Sequence, residues 1–269
     1  MFRRQFLIGV AATLLAAGLN EGCGGSPTAP GGVTPPPQPN PQPPPTPPPS
    51  TPASLRITRI LTFGDSMTSG TISPPLTFRA LDAGLAQSYP FKLQTLLTAR
   101  YSTQTVSVFN AGIAGRNAWQ DRSRLASVIA DTAPELVILL EGANDLNSIV
   151  PPAVNAGIDA TVAAMEDMVR DTVARNVPII VATLPPQRPG GPKAGGVNYL
   201  SKYNTDLKTM SSKKGASLVD VNAQLPLELI GQDGLHPTEL GYQTLADIMF
   251  EAIRVRYEVA PVTASTVSR

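Results

Sequence analysis

The sequence predicts an α/β fold, with a parallel sheet covered by helices on both faces. Two observations carry this. Short runs rich in β-branched residues alternate with amphipathic stretches of helical period, the pattern of strands joined by crossover helices. The alternation starts only at Leu55 and continues for roughly 200 residues, enough chain for one sizeable core.

The segment before Leu55 reads as an address and a tether. In residues 1–22, Arg3 and Arg4 form a basic start, and Phe6 to Leu19 is an apolar run too short to span a bilayer as a mature helix. The segment reads as a signal peptide, which predicts export to the periplasm or the exterior. The string Arg3-Arg4-Gln5-Phe6-Leu7 resembles the twin-arginine export motif; an ordinary Sec signal with two arginines is the alternative. Cys23 stands where a bacterial lipoprotein is cleaved and lipidated. Gly22 suits the preceding position, whereas Asn20 and Glu21 are unusual there. Residues 23–54 read as a disordered linker. No charged residue occurs from Gly22 to Leu55, and prolines at 35–37, 39, 41, 43–45 and 47–49 enforce extended polyproline II. Such a composition buries no core. Membrane contact is expected only through a lipid on Cys23, the alternative being an unlipidated linker.

Residues 55–258 form the predicted domain. Ile57–Phe63, Thr105–Phe109, Leu136–Glu141, Val177–Thr183 and Ser217–Val221 read as strands. Ile158, Val162, Met165, Val169 and Val173 fall on one helical stripe. Leu240, Leu245, Ile248, Met249 and Ile253 form the stripe of a closing helix. Weaker helical stretches cover Tyr89–Tyr101, Ala118–Ile129 and Tyr199–Ser212, and Trp119 is read as core. Residues 259–269 read as a frayed tail.

Composition narrows the function. Beyond residue 22 basic and acidic residues are equal in number, so there is no electrostatic case for nucleic acid. The single cysteine excludes an intrachain disulfide framework. With one histidine as well, a structural zinc site would need carboxylate ligands. No metal and no cofactor is expected. Walker and dinucleotide glycine patterns are absent, which argues against a nucleotide-binding α/β protein.

Ligands of parallel α/β sheets bind beyond the carboxyl ends of the strands. Gly64-Asp65-Ser66, Asn110-Ala111-Gly112 and Gly142-Ala143-Asn144-Asp145 each follow a predicted strand and so share one rim. A neutral serine is a weak nucleophile and needs a base, the base needs an orienting acceptor, and the developing oxyanion needs donors. Ser66, beside the turn-permitting Gly64, is the candidate nucleophile, although Gly-Asp-Ser alone also fits an ordinary turn or helix cap. His236, the sole histidine, is the candidate base. Asp233, three residues upstream across Gly234, can orient it. Gly115 offers a backbone N–H unobstructed by a side chain, and Asn144 offers a side-chain amide. Asp65, Asn110 and Asp145 stand beside these groups in supporting positions.

Taken in order, GDSMTSG, NAGIAG, GANDL and DGLHPT resemble the four blocks of the SGNH (GDSL-type) hydrolases, and they span Gly64 to Thr238. The resemblance implies a three-layer α/β/α sandwich with a parallel five-stranded sheet, in flavodoxin-like order. It further implies Ser66 as nucleophile and His236 with Asp233 as base and orienter. The Ser66 N–H, Gly115 and Asn144 would be the oxyanion donors. Met67 replaces the leucine of the family name. Two stretches, Thr71–Gln87 and Leu184–Val197, are expected to wall the pocket. The expected activity is hydrolysis of carboxylic esters through an acyl-enzyme. Its substrates would be short-chain acyl or lysophospholipid-type esters, or acetyl groups on polysaccharide. A surface-anchored binding module without catalysis is the rival of another class.

Overall fold

A computed structural model describes residues 52–73, 81–82 and 85–259. The signal segment, Cys23, nearly all of the tether and residues 260–269 lie outside the described residues, as do positions 74–80 and 83–84.

Five strands form the main sheet: β1 Arg59–Gly64, β2 Ser107–Gly112, β3 Leu136–Leu140, β4 Ile179–Ala182 and β5 Ser217–Val219. All neighbours pair in parallel, in the order β2-β1-β3-β4-β5. This is the flavodoxin-like doubly wound order. Every residue of β3 is buried, as a central strand covered on both faces requires. The helices are α1 Ser66–Ser69, α2 Tyr89–Arg100, α3 Ala118–Thr132, α4 Ala143–Asn147, α5 Val154–Val173, α6 Leu200–Lys214, α7 Val221–Gln224 and α8 Glu239–Tyr257. α2 packs on α8, while α3 and α6 flank α5, which makes the two helical layers.

The helical stripes face the core as their period demands. Ile158, Met165 and Val169 of α5 and Leu245, Met249 and Ile253 of α8 are buried. Leu240 and Val173, at the first and last turns of their helices, are exposed instead. Ser54–Leu55 pairs antiparallel with Glu258–Val259, joining the two ends of the described domain.

One reading is corrected. Asn110-Ala111-Gly112 does not follow β2 but completes it, paired with Thr62, Phe63 and Gly64. The strand continues past Phe109 because Gly112 has no side chain: a Cβ there would lie 2.2 Å from the Ser69 backbone nitrogen. The β1–β2 pair can therefore run directly under α1. The change of winding direction falls beside β1, whose neighbours β2 and β3 leave in opposite directions. A doubly wound sheet opens its crevice at that point.

Candidate active site

β1 ends in a forced close approach. A Cβ on Gly64 would lie 2.0 Å from the Leu140 carbonyl oxygen and 2.5 Å from Thr68 Oγ1. The next residue, Asp65, caps α1 by accepting the Met67 N–H at 2.9 Å, and Ser66 is the first residue of that helix. Asn110 holds the turn from the neighbouring strand. Its Nδ2 donates to the Thr68 carbonyl at 3.0 Å, and its Oδ1 accepts the Gly112 N–H at 2.9 Å.

His236 reaches Ser66 from the far end of the sequence. Its Nε2 lies 2.8 Å from Ser66 Oγ, and its Nδ1 lies 2.5 Å from Asp233 Oδ2. The other carboxylate oxygen, Asp233 Oδ1, accepts the N–H groups of Leu235 and His236, each at 3.0 Å. The carboxylate thus closes its own turn, in which Gly234 takes a φ of +87°. Ser73 Oγ fixes the turn from outside by accepting the Asp233 N–H at 3.1 Å. Burial raises the Asp233 pKa, but the His236 side chain and these two N–H groups outweigh it and hold the carboxyl below its ordinary value.

The third side of the site is a turn after β2. The Arg116 N–H bonds the Ile113 carbonyl at 3.3 Å, with Gly115 at a φ of +80° in the third position. Asn144, in the first turn of α4, donates from Nδ2 to the Arg116 carbonyl at 2.8 Å and to Asp65 Oδ2 at 3.4 Å. Asp145, the next residue, accepts the Ala118 N–H at 2.8 Å and ties α4 to the start of α3. Ser66, Gly115, Asn144 and His236 line one cleft of about 350 Å³, with Thr71, Asn147, Pro192 and Lys193 on its walls. The stretch Leu184–Val197 thus reaches the cleft. Of Thr71–Gln87, Thr71 reaches it, and residues 74–80 and 83–84 lie outside the described residues.

The structure also holds what the sequence does not announce. Asp121 is buried and pairs with Arg116 at 2.7 Å and Arg124 at 2.5 Å, which buttresses the Gly115 turn from beneath. Arg124 also lies over the Phe63 ring, 3.9 Å from its centroid. A basic residue on each side of an aspartate at the start of a helix was the available signal. Asn147 anchors the 184–197 loop. Its Oδ1 accepts the Gly196 N–H at 2.6 Å and its Nδ2 donates to the Lys193 carbonyl at 2.8 Å. Behind the site, burial pushes Asp65 up to about 7, opposed by the Met67 N–H and reinforced by the charges of Asp145 and Asp121. Burial raises Glu141 well above the ordinary range too, helped by Asp65 and Asp121, and its Oε2 finds no hydrogen-bond partner among the described residues. Trp119, read as core, is instead 58% exposed.

Comparison with known proteins adds three findings. Residues 62–244 match the model of the GDSL-like Lipase/Acylhydrolase family. No curated protein matches the chain. Several solved structures share its fold. A lipase/acylhydrolase from Enterococcus faecalis is 20% identical with a TM-score of 0.61, covering 75% of this chain and 97% of that one. An aryl esterase from M. smegmatis is 20% identical with a TM-score of 0.62, covering 74% and 99%. An acetylxylan esterase from Geobacillus stearothermophilus is 22% identical with a TM-score of 0.57, covering 74% and 96%.

Proposed function

The chain belongs to the GDSL-like lipase/acylhydrolase family of ester hydrolases, and from that premise we propose that it is an exported esterase in which Ser66 is the nucleophile, His236 the base and Asp233 its orienter. The observation that carries this reading is the continuous line from Asp233 Oδ2 through His236 to Ser66 Oγ, at 2.5 and 2.8 Å.

With Nδ1–H donated to Asp233, the His236 ring presents its Nε2 lone pair to the Ser66 hydroxyl. Ser66 Oγ attacks the ester carbonyl carbon as its proton passes to Nε2. The Asp233 carboxylate stabilises the imidazolium that forms. The carbonyl oxygen gathers negative charge between the Ser66 N–H, the Gly115 N–H and Asn144 Nδ2. His236 then returns the proton to the leaving alcohol. Water repeats the sequence on the acyl-enzyme and releases the acid.

Short-chain acyl or lysophospholipid-type esters are the substrates this reading favours, outside the cytoplasm, with a lipid at Cys23 as a tether. A second reading, deacetylation of polysaccharide, draws on the exposed Trp119, whose ring could stack on a sugar. A fluorophosphonate probe tests the core of the proposal. Stoichiometric labelling of the wild type that vanishes in Ser66→Ala is the expected result. A wild type that takes no label would point to a binding module that has lost catalysis.

A further inference from the structure

A second cavity, of about 440 Å³, takes part of its lining from the same two segments as the Ser66 cleft, the stretch after β2 and α4. Its size falls within the range of small-molecule pockets. Asn144 and Asn147 of α4 face the cleft, whereas Asp145 and, just after the helix, Ser148 line the hollow. Along the preceding turn Gly115 belongs to the cleft and Asn117 to the hollow. The bond from the Asn144 amide to the Arg116 carbonyl, at 2.8 Å, ties together the two segments that carry these residues.

The hollow has a sequence cause. Ala153, Gly157 and Ala160 are spaced i, i+4 and i+7 on one face of α5 and its cap, and all three line the hollow. Gly157 lets Ile149 close in, since a Cβ there would lie 2.8 Å from Ile149 Cγ1. Trp119 and Val150 complete the lining and remain 58% and 70% exposed. Two large apolar side chains left in water beside a concave surface are characteristic of a binding groove rather than of a packed core.

Three polar groups at its edge already bond within the protein. Asp145 accepts the Ala118 N–H, Ser148 Oγ donates to the Asn144 carbonyl at 2.7 Å, and Thr161 Oγ1 donates to the Gly157 carbonyl at 2.8 Å. Neither hydroxyl proton is left for a sugar, and Trp119, Ile149, Val150, Ala153, Gly157 and Ala160 supply most of the lining, which favours an apolar occupant. The leaving oxygen must sit against His236 to receive its proton. The carbonyl oxygen takes the Gly115 and Asn144 donors, so the alkyl group leaves the carbonyl carbon by the remaining direction, away from His236.

We propose that this hollow is the acyl subsite, taking an alkyl chain that crosses the Gly115–Asn117 edge from the carbonyl held at Ser66. The proposal rests on the assignment of Ser66 as nucleophile.

The experiment measures kcat/KM for p-nitrophenyl acetate and octanoate with the wild type, Trp119→Ala and Ala160→Trp. Both substituted positions are exposed, and thermal melting verifies that each variant folds. The wild type should prefer octanoate. Filling the hollow in Ala160→Trp should lower the octanoate-to-acetate ratio about tenfold or more, and opening its rim in Trp119→Ala should lower it about threefold. A wild type whose kcat/KM is higher on acetate than on octanoate overturns the proposal, as do ratios within about twofold of wild type in both variants. Preferred turnover of acetylated xylo-oligosaccharide that is lost in Trp119→Ala also overturns it and makes the hollow a sugar platform. Fluorophosphonate labelling separates the two levels. Label on Ser66 with unchanged ratios removes only the subsite, whereas no label on Ser66 removes the reading beneath it.

Discussion

Asn144 and Asp65 share a hydrogen bond of 3.4 Å across the floor of the site, while the same amide nitrogen holds the Arg116 carbonyl at 2.8 Å. In the resting site both protons of the Asn144 amide are therefore spent. An oxyanion can recruit the amide only by drawing it away from one acceptor, and the longer bond, to Asp65, is the one to give way. The Arg116 bond then keeps the amide in place. Asn144→Ala should lower kcat on p-nitrophenyl acetate on the order of 10²–10³-fold with KM little changed, since the interaction forms in the transition state. A variant with wild-type kcat would remove Asn144 from the oxyanion site.

Asp233 orients His236 and also closes its own turn through Leu235 and His236. Asp233→Asn keeps an oxygen for those backbone bonds but cannot hold the imidazole in the tautomer that offers Nε2 to Ser66. In the Ser-His-Asp template the equivalent change costs about 10⁴ in kcat. A loss on that order, with a melting temperature close to wild type, is expected here. A loss accompanied by unfolding would instead mark Asp233 as a structural turn former.

The buried acids predict a pH dependence of stability. Asp65 titrates near 4 in an unfolded chain and at about 7 in the folded protein, mainly through burial. The native state then holds its proton longer than the unfolded state. Stability is therefore undiminished at the acid end and falls as pH rises from about 4 through 7, with a total on the order of a few kcal/mol. Glu141 shifts in the same direction and extends the fall. Asp233 and Glu258 are shifted down, Glu258 to about 2, so their contributions are present above the unfolded pKa and lost only in more acidic solution. Thermal melts should show a lower melting temperature at pH 8 than at pH 5.5. Glu141→Gln should narrow that gap, each kcal/mol recovered being worth about 2–4 °C in a domain of this size. An equal gap in the variant would exclude Glu141 as a source of the pH effect.

The parts legible in the sequence are those set by local chemistry or by strand period. The five strands are readable from their β-branched runs, and Asp233 and His236 meet because three residues and a glycine suffice to close a turn. Position on the rim is enough to bring Gly115 and Asn144 into the Ser66 cleft. What could not be read depends on phase and on distant packing. Trp119 sits one residue out of phase with Ala118, Leu125 and Ile129, which α3 buries, so the helix turns the indole outward. The end of β2 is hidden from the sequence because its last residues pair only where two glycines, Gly64 and Gly112, lie opposite each other. The burial of Glu141 depends on packing around the end of the central strand, and no pattern along the chain announces it, whereas Asp121 between Arg116 and Arg124 left only a local charge pattern.

Gly64 and Gly115 border the same site for different physical reasons, and their alanine variants should separate. At Gly64 the obstacle is space. The added Cβ would meet the Leu140 carbonyl oxygen at 2.0 Å, a backbone atom of the central strand that cannot swing aside. Gly64→Ala must push β1 from β3 and should cost upwards of about 3 kcal/mol, seen as loss of soluble protein or a melting temperature many degrees lower. At Gly115 nothing lies within 4 Å of an added Cβ, and the obstacle is a φ of +80°, worth about 1–2 kcal/mol for an alanine. Gly115→Ala should therefore fold, with a modest drop in melting temperature. Its methyl group, at the wall of the cleft, or a slight turning of its N–H should still reduce kcat on p-nitrophenyl acetate by about tenfold or more. A Gly115→Ala enzyme that melts lower but turns over at the wild-type rate would leave the turn a structural role and take its N–H out of the oxyanion site.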